Sequence, residues 1–162
     1  MDPVDVRDLL DNPGASREVH VSEAIEGLAT ELVSVPEPVR VDLVLESVVE
    51  GILASGPVSG TMMFRCARCL EPSGRAFRLQ VAELFAPGAG EGDDEYPVSE
   101  EEIDLEPMVR DTVVLAMPFS PLCRIDCRGL CERCGGNRNL GECTCGPELD
   151  PRWAPLADLK LD

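Results

Sequence analysis

Val39-Arg40-Val41-Asp42-Leu43-Val44-Leu45-Glu46 decides the fold class. Val39, Val41, Leu43 and Leu45 fall on one side of an extended chain, with Arg40, Asp42 and Glu46 on the other. That two-residue period is the mark of a strand with one buried face. Working outward, Val48 to Ala54 is a second β-rich run, closed by the turn signal Ser55-Gly56-Pro57, and Val58 to Arg65 reads as a third strand. Phe77, Leu79 and Val81 alternate with Arg78 and Gln80 in a fourth. The connections are short, so an antiparallel meander is expected. It places Cys66-Ala67-Arg68-Cys69 at the tip of the hairpin between strands three and four.

Beyond the sheet, Asp104 is a helix N-cap, and Pro107 is tolerated in the first turn. Leu105, Met108, Val109, Thr112, Val113 and Ala116 then follow helical spacing, and Pro118 ends the run. A last short helix is expected from Asp150 to Leu159, with Trp153, Leu156 and Leu159 inward. Residues 1–35 read as a partly ordered lead, with Asn12-Pro13-Gly14 as a turn and a stretch from Glu18 to Val35 that suits strand or short helix. Residues 36–120 form the sheet and helix, interrupted by a disordered Gly- and acid-rich loop at about 86–102. Residues 121–162 form a cysteine-rich segment packed on the same domain. The expected class is α+β and β-rich: a meander with one or two packed helices and a cysteine-rich, zinc-binding C-terminal segment.

The chain has 162 residues, enough for one modest core. No apolar run reaches the roughly 20 residues of a membrane helix. The acidic start Met1-Asp2-Pro3-Val4-Asp5 does not resemble a secretory signal. His20 is the single histidine, which excludes a Ser-His-Asp triad and the H-E-x-x-H metal motif; it reads as a surface strand residue. Neither a Walker loop nor a dinucleotide-binding fingerprint is present. The Glu100-Glu101-Glu102 run reads as a solvated approach to the helix cap. The aromatics sit at core-facing spacing and form no stacking platform for bases.

The formal charge of -17 excludes a broadly basic nucleic-acid binder. The charge is uneven. Residues 82–111 carry eleven acids against Arg110, whereas residues 61–81 carry four arginines (Arg65, Arg68, Arg75 and Arg78) against Glu71. That local positive patch suits RNA phosphate or an acidic partner, or else offsets the thiolates beside it.

The cysteines carry the chemistry. They run C-x2-C at Cys66 and Cys69, C-x3-C-x3-C-x2-C at Cys123, Cys127, Cys131 and Cys134, and C-x-C at Cys143 and Cys145. Zinc favours four thiolates in a tetrahedron, commonly delivered as knuckles of two cysteines two residues apart. Cys131-Glu132-Arg133-Cys134-Gly135-Gly136 is such a knuckle, because glycine takes the positive φ that turns backbone N–H groups toward sulfur. The favoured partition into two sites sets Cys131 and Cys134 with Cys143 and Cys145, and Cys66 and Cys69 with Cys123 and Cys127. A second partition leaves one of Cys143 and Cys145 idle and moves Cys127 to the C-terminal site. The rival chemistry is a thiol redox or redox-sensing pair, but neither C-x-x-C opens a helix after a strand, where its pKa would be depressed.

Several stretches resemble one family: Leu45-Glu46-Ser47-Val48-Val49-Glu50-Gly51, Cys66-Ala67-Arg68-Cys69-Leu70, Ile103-Asp104-Leu105-Glu106-Pro107 and Leu115-Ala116-Met117-Pro118. They continue in Pro121-Leu122-Cys123, Cys127-Arg128-Gly129-Leu130-Cys131, Cys134-Gly135 and Asp150-Pro151-Arg152-Trp153-Ala154-Pro155-Leu156. In this order they are similar to the YceD-like family of large ribosomal RNA subunit accumulation proteins, over roughly residues 35–160. Asn137-Arg138-Asn139 departs from the family, which tends to place a leucine before the second asparagine. The resemblance implies a cytoplasmic or plastid factor without enzymatic activity, needed for normal levels of large-subunit rRNA. It also implies that family genes often neighbour the gene of a zinc-binding type of large-subunit ribosomal protein.

Taken together, the expectation is a non-catalytic ribosome-biogenesis factor holding one or two Zn2+ ions. Its partner is a large-subunit precursor, met through rRNA or through a basic ribosomal protein. Neither a membrane nor a small-molecule substrate is expected.

Overall fold

Val39, Val41, Leu43 and Leu45 are buried while Arg40, Val44 and Glu46 are exposed, so the alternation expected of this stretch is the one it adopts. The computed structural model describes residues 1–10, 12–90, 92–141, 143–146 and 152. In chain order its elements are β1 (Val4–Asp5), α1 (Arg7–Leu10), β2 (Ser16–Glu23), β3 (Val33–Ser34), β4 (Val39–Val48) and β5 (Gly51–Arg65). These are followed by β6 (Pro72–Pro87), β7 (Tyr96–Ser99), β8 (Glu102–Ile103) and α2 (Leu105–Ala116). They make one eight-stranded sheet in the order β1-β8-β7-β6-β5-β4-β2, with β3 pairing alongside β5. The expected helix from Asp150 to Leu159 lies outside the described residues.

The second and third expected strands are a single one, β5. Val49 and Glu50 form a two-residue turn between β4 and β5, since Val48 pairs with Gly51. Ser55-Gly56-Pro57 does not end the strand, because β6 pairs through it without a break, Gly56 with Val81 and Pro57 with Gln80. Gly56 accommodates this with φ 148, in a place where a Cβ would stand 2.3 Å from the Asp42 carbonyl oxygen. The local turn signal loses to the continuous β6 ladder, while β4 pairs on either side of Gly56-Pro57, at Ser55 and Val58.

The sheet is mixed and not a pure antiparallel meander: β7 pairs parallel to β6, Phe85 opposite Tyr96. The stretch expected as one disordered loop is therefore shorter, because β6 runs to Pro87 and β7 begins at Tyr96. The Tyr96 ring lies 5.4 Å from that of Phe85, and its hydroxyl donates to Asp111 on α2 at 3.0 Å. Glu100 and Glu101, both at positive φ, turn β7 into β8. The N-terminal lead also joins the sheet. β2 pairs with β4 from Ser16↔Glu46 to Glu23↔Val39, and Val6 and Leu9 are buried in the core.

Asp104 caps α2 by accepting from the Glu106 N–H at 2.9 Å. Leu105, Met108, Val109 and Val113 are buried against the inner face of the sheet. Thr112 is half-buried, bonding back to the Met108 carbonyl. Ala116, expected on the same stripe, is exposed; the helix ends there and Met117 enters the core instead. Among the described residues, none after Met117 belongs to the main apolar core. Among the described residues, no helix is long and apolar enough to cross a membrane.

Candidate metal centres

The β5–β6 hairpin ends in Cys66-Ala67-Arg68-Cys69-Leu70-Glu71, a loop closed by two backbone bonds. Cys66 N–H donates to the Glu71 carbonyl at 2.9 Å, and Leu70 N–H donates to the Cys66 carbonyl at 2.9 Å. Cys131-Glu132-Arg133-Cys134-Gly135-Gly136 repeats the pattern: Cys131 N–H to the Gly136 carbonyl at 2.9 Å, and Gly135 N–H to the Cys131 carbonyl at 2.8 Å. In both loops the residue after the second cysteine is left-handed, Gly135 at φ 71 and Leu70 at φ 61. Two C-x-x-C stretches with the same backbone path turn the same N–H groups toward sulfur.

The structure brings Cys66, Cys69, Cys123 and Cys127 into one quartet, and Cys131, Cys134, Cys143 and Cys145 into another. Within each, all four sulfurs lie within 4.8 Å of one another. Cys127 thus sits with the hairpin, and both cysteines of the C-x-C pair join the second quartet. In the first, Cys66 and Cys127 are 3.8 Å apart and Cys69 and Cys123 3.7 Å. A disulfide would need about 2.05 Å. Four thiolates at about 2.3 Å from a central ion stand about 3.8 Å from each other, so the spacing is that of a tetrahedral site. Cys66, Cys69 and Cys127 are buried and Cys123 half-buried, whereas Cys134 and Cys145 of the second quartet are exposed.

The protonation pattern fits a cation-binding donor set. Burial pushes the Cys66 thiol up, but backbone N–H donors at Cys123, Cys69 and Arg68 outweigh it and bring the thiol down to about 6. Cys131 falls to about 6 through the N–H groups of Cys134 and Arg133. Their neighbours move the other way. Cys123 rises to about 12, through burial and through holding its proton against adjacent thiolates, and Cys145 to about 12 beside Cys134 and Cys143. Four thiols this close cannot all ionise by themselves; a divalent cation is what permits it. Both quartets can therefore hold a metal ion.

Two of the four arginines singled out by sequence brace this arrangement. Arg68 donates to the Cys127 carbonyl at 3.0 Å, and Arg75 donates to the Leu122 carbonyl at 3.0 Å while lying over the Phe64 ring. Arg65 and Arg78 do not join it. Sequence reasoning missed two asparagines that do. Asn139 donates to the Cys127 sulfur at 3.4 Å, and its side-chain oxygen accepts from Arg124 and from the Arg128 N–H, each at 2.8 Å. Asn137, buried, accepts from the Asn139 side chain at 2.9 Å and backbone at 3.0 Å. The only signal was their place after the knuckle, where the chain departs from the family pattern.

Residues 54–160 match the family described as large ribosomal RNA subunit accumulation protein YceD. An uncharacterized protein of Mycobacterium tuberculosis is 37% identical over 172 residues, spanning 96% of this chain and 80% of the relative. One from Mycobacterium leprae is 34% identical over 139 residues, spanning 82% of this chain and 64% of the relative. The "Large ribosomal RNA subunit accumulation protein YCED homolog 1, chloroplastic" of Arabidopsis thaliana is 36% identical over 66 residues, 40% of this chain and 21% of that protein. No solved structure matches.

Proposed function

Because this chain belongs to the YceD family of large ribosomal RNA subunit accumulation proteins, we propose that it is a non-catalytic factor of large-subunit biogenesis whose fold is stapled by two zinc ions. Its work is done by contact, in the cytoplasm, on a precursor of the large subunit. The family description and the plant relative's name support the role in rRNA accumulation.

The observation that carries the reading is the first cysteine quartet. Its sulfurs come from the hairpin tip and from residues 123 and 127, so an ion there ties the C-terminal segment to the sheet. Zinc suits four thiolates because it is borderline-soft, has no redox chemistry and accepts a closed tetrahedron. A thiol redox role would need one reactive dithiol in place of two such quartets. Bound zinc supplies cross-linking and fixes all eight cysteines as thiolates; the arginines and asparagines orient the loops that present them.

Charge separates along the molecule. The segment 82–111, at the far end of β6 and through β7, β8 and the first turns of α2, holds the acidic excess, and the hairpin holds the arginines. The acidic end suits a basic ribosomal protein and the arginine end suits rRNA. A tagged full-length protein run on sucrose gradients tests the role. Co-migration with large-subunit precursors is expected, and an unchanged ratio of large- to small-subunit rRNA in cells lacking the protein would contradict it.

A further inference from the structure

Arg65 and Arg78, which the metal centres leave unused, share a face of the sheet with Arg40, a residue the sequence pattern did not mark. Strand register shows this. Arg40 pairs with Ser59 and Ser59 with Arg78, so the three stand abreast across β4, β5 and β6. Arg65 lies on the same side of β5, six residues nearer the hairpin tip. This is the outer face: Val39, Val41, Val58 and Val81 point into the core, while Arg40, Arg65 and Arg78 are all exposed.

The ground between them is uncharged, with Met63 as its one large side chain. Thr61 faces Ala76 and Met63 faces Gly74 on the same side of the hairpin, and Ser22 of β2 extends the row beyond Arg40. The next row carries Asp42, which is bonded to His20 at 2.8 Å. Glu31 and Glu71 stand at the margins, near Arg65 and on the loop below the hairpin tip.

Most other arginines are matched; Arg128 and Arg138, beside Cys143 and Cys145, lie off the sheet at the second quartet. Arg7, Arg17, Arg110 and Arg124 pair with carboxylates, and Arg68 and Arg75 are spent on carbonyl oxygens. The side chains of Arg40, Arg65 and Arg78 have no hydrogen bond or ion pair among the described residues. In a chain of 31 acids and 14 bases, three neighbouring arginines without a carboxylate leave this strand face free to meet an external anion.

Their spacing says what kind of anion. Strands lie about 4.8 Å apart and rise about 3.3 Å per residue, so Arg40 and Arg78 are separated by about 10 Å and Arg65 by about 20 Å along the hairpin. Three guanidiniums so far apart cannot converge on a single phosphate. They suit a polymer with repeated negative charge, approached over an uncharged floor whose serine and threonine hydroxyls also donate to phosphate. Guanidinium forks match phosphate oxygens in a bidentate manner. We propose that the outer face of β4–β5–β6, between Arg40, Arg65 and Arg78, binds RNA by its phosphate backbone, without base readout. The choice of RNA over an acidic protein rests on the ribosomal role proposed above.

The test is fluorescence anisotropy with the zinc-loaded full chain and a labelled 20-nucleotide single-stranded RNA, titrated from 50 to 200 mM salt. Three neutralised phosphates give a log–log slope of about -2, so affinity falls about 20-fold over that range. The triple variant R40S/R65S/R78S loses about two units of slope and binds at least about tenfold more weakly at 50 mM. R7S/R17S/R110S, with the same change in net charge, retains the wild-type slope. Unchanged binding in the first variant, or equal loss in the second, overturns the inference. So does binding of poly-glutamate in place of RNA, which would assign the face to an acidic protein. Circular dichroism checks that both variants are folded. The ribosomal role is judged separately, by the rRNA ratio in cells lacking the protein: a deficit restored in full by the triple variant would leave that role standing and refute the RNA-binding face.

Discussion

Removal of metal should melt residues 121–140 and leave the sheet intact. Outside the quartets, four hydrogen bonds of 3.0 Å or less join this segment to the hairpin among the described residues: Ala67 N–H to the Pro121 carbonyl at 2.7 Å, Arg75 to Leu122 and Arg68 to Cys127 at 3.0 Å each, and Leu130 N–H to the Arg68 carbonyl at 3.0 Å. Two more, Arg68 to the Ile125 carbonyl and Asn137 to the Glu71 carboxylate, are stretched to 3.5 Å. At about 1 kcal/mol each the four shorter bonds contribute about 4 kcal/mol. Ordering the backbone costs about 1–2 kcal/mol per residue, so these bonds offset only two to four residues of the segment. Apolar burial does not supply the rest. Ile125 is 92% exposed, Leu140 67% and the preceding Phe119 97%, and the small cluster beneath consists of cysteines and Leu122. A structural zinc site contributes on the order of 10 kcal/mol, enough to reverse the balance. Hydrogen exchange read by mass spectrometry, with and without a chelator, measures this. Amides of Ala67, Leu70, Leu130, Gly135 and Arg138 should lose protection while those of β4 and β5 keep theirs. Protection of 121–140 in metal-free protein, or simultaneous loss across the sheet, would refute the reasoning.

Other consequences can be checked on single variants. Leu70 is bulky, half-exposed and left-handed, so Leu70→Gly should raise stability by up to about 1 kcal/mol in thermal melts; a clear loss would show that its side chain packs usefully. Gly56→Ala sets a Cβ 2.3 Å from the Asp42 carbonyl oxygen at φ 148 and should cost about 2 kcal/mol or more in urea unfolding, with a neutral effect speaking against the glycine's role in β5. Tyr96 is the single tyrosine, and burial followed by its bond to Asp111 raises its phenol to about 12. The neutral ring is favoured in the folded state, so stability should be complete below about pH 10 and decline toward pH 12. Ultraviolet titration of the folded chain near the ordinary value of about 10 would show that the Phe85–Tyr96–Asp111 arrangement does not form.

What could be read in the sequence was local. The alternation at Val39–Leu45, the Asp104 cap and the apolar side of α2 each rest on residues a few positions apart. The two C-x-x-C loops were legible for the same reason, since the second carries its own left-handed glycine. What escaped depends on partners distant along the chain. β5 continues through Ser55-Gly56-Pro57 because β6 pairs along all of it and β4 on either side of Gly56-Pro57. β7 is a four-residue strand inside an acidic, glycine-rich stretch, and only the parallel alignment with Phe85 and the reach of Tyr96 to Asp111 reveal it. β2 alternates Arg17, Val19 and Val21 with polar residues, a pattern too thin in apolar side chains to stand out. Arg40 joins Arg78 through register alone, and Asn139 reaches Cys127 through a turn that no spacing rule describes.

The most direct test of the account is the metal content of the full chain by native mass spectrometry, measured on the wild type and on the separate variants C66S and C131S. Two zinc ions are expected in the wild type and one in each variant, because the quartets share no cysteine. A wild-type chain purified without chelator that carries no metal, with reactive thiols in its place, would contradict the stapled fold and restore the redox reading.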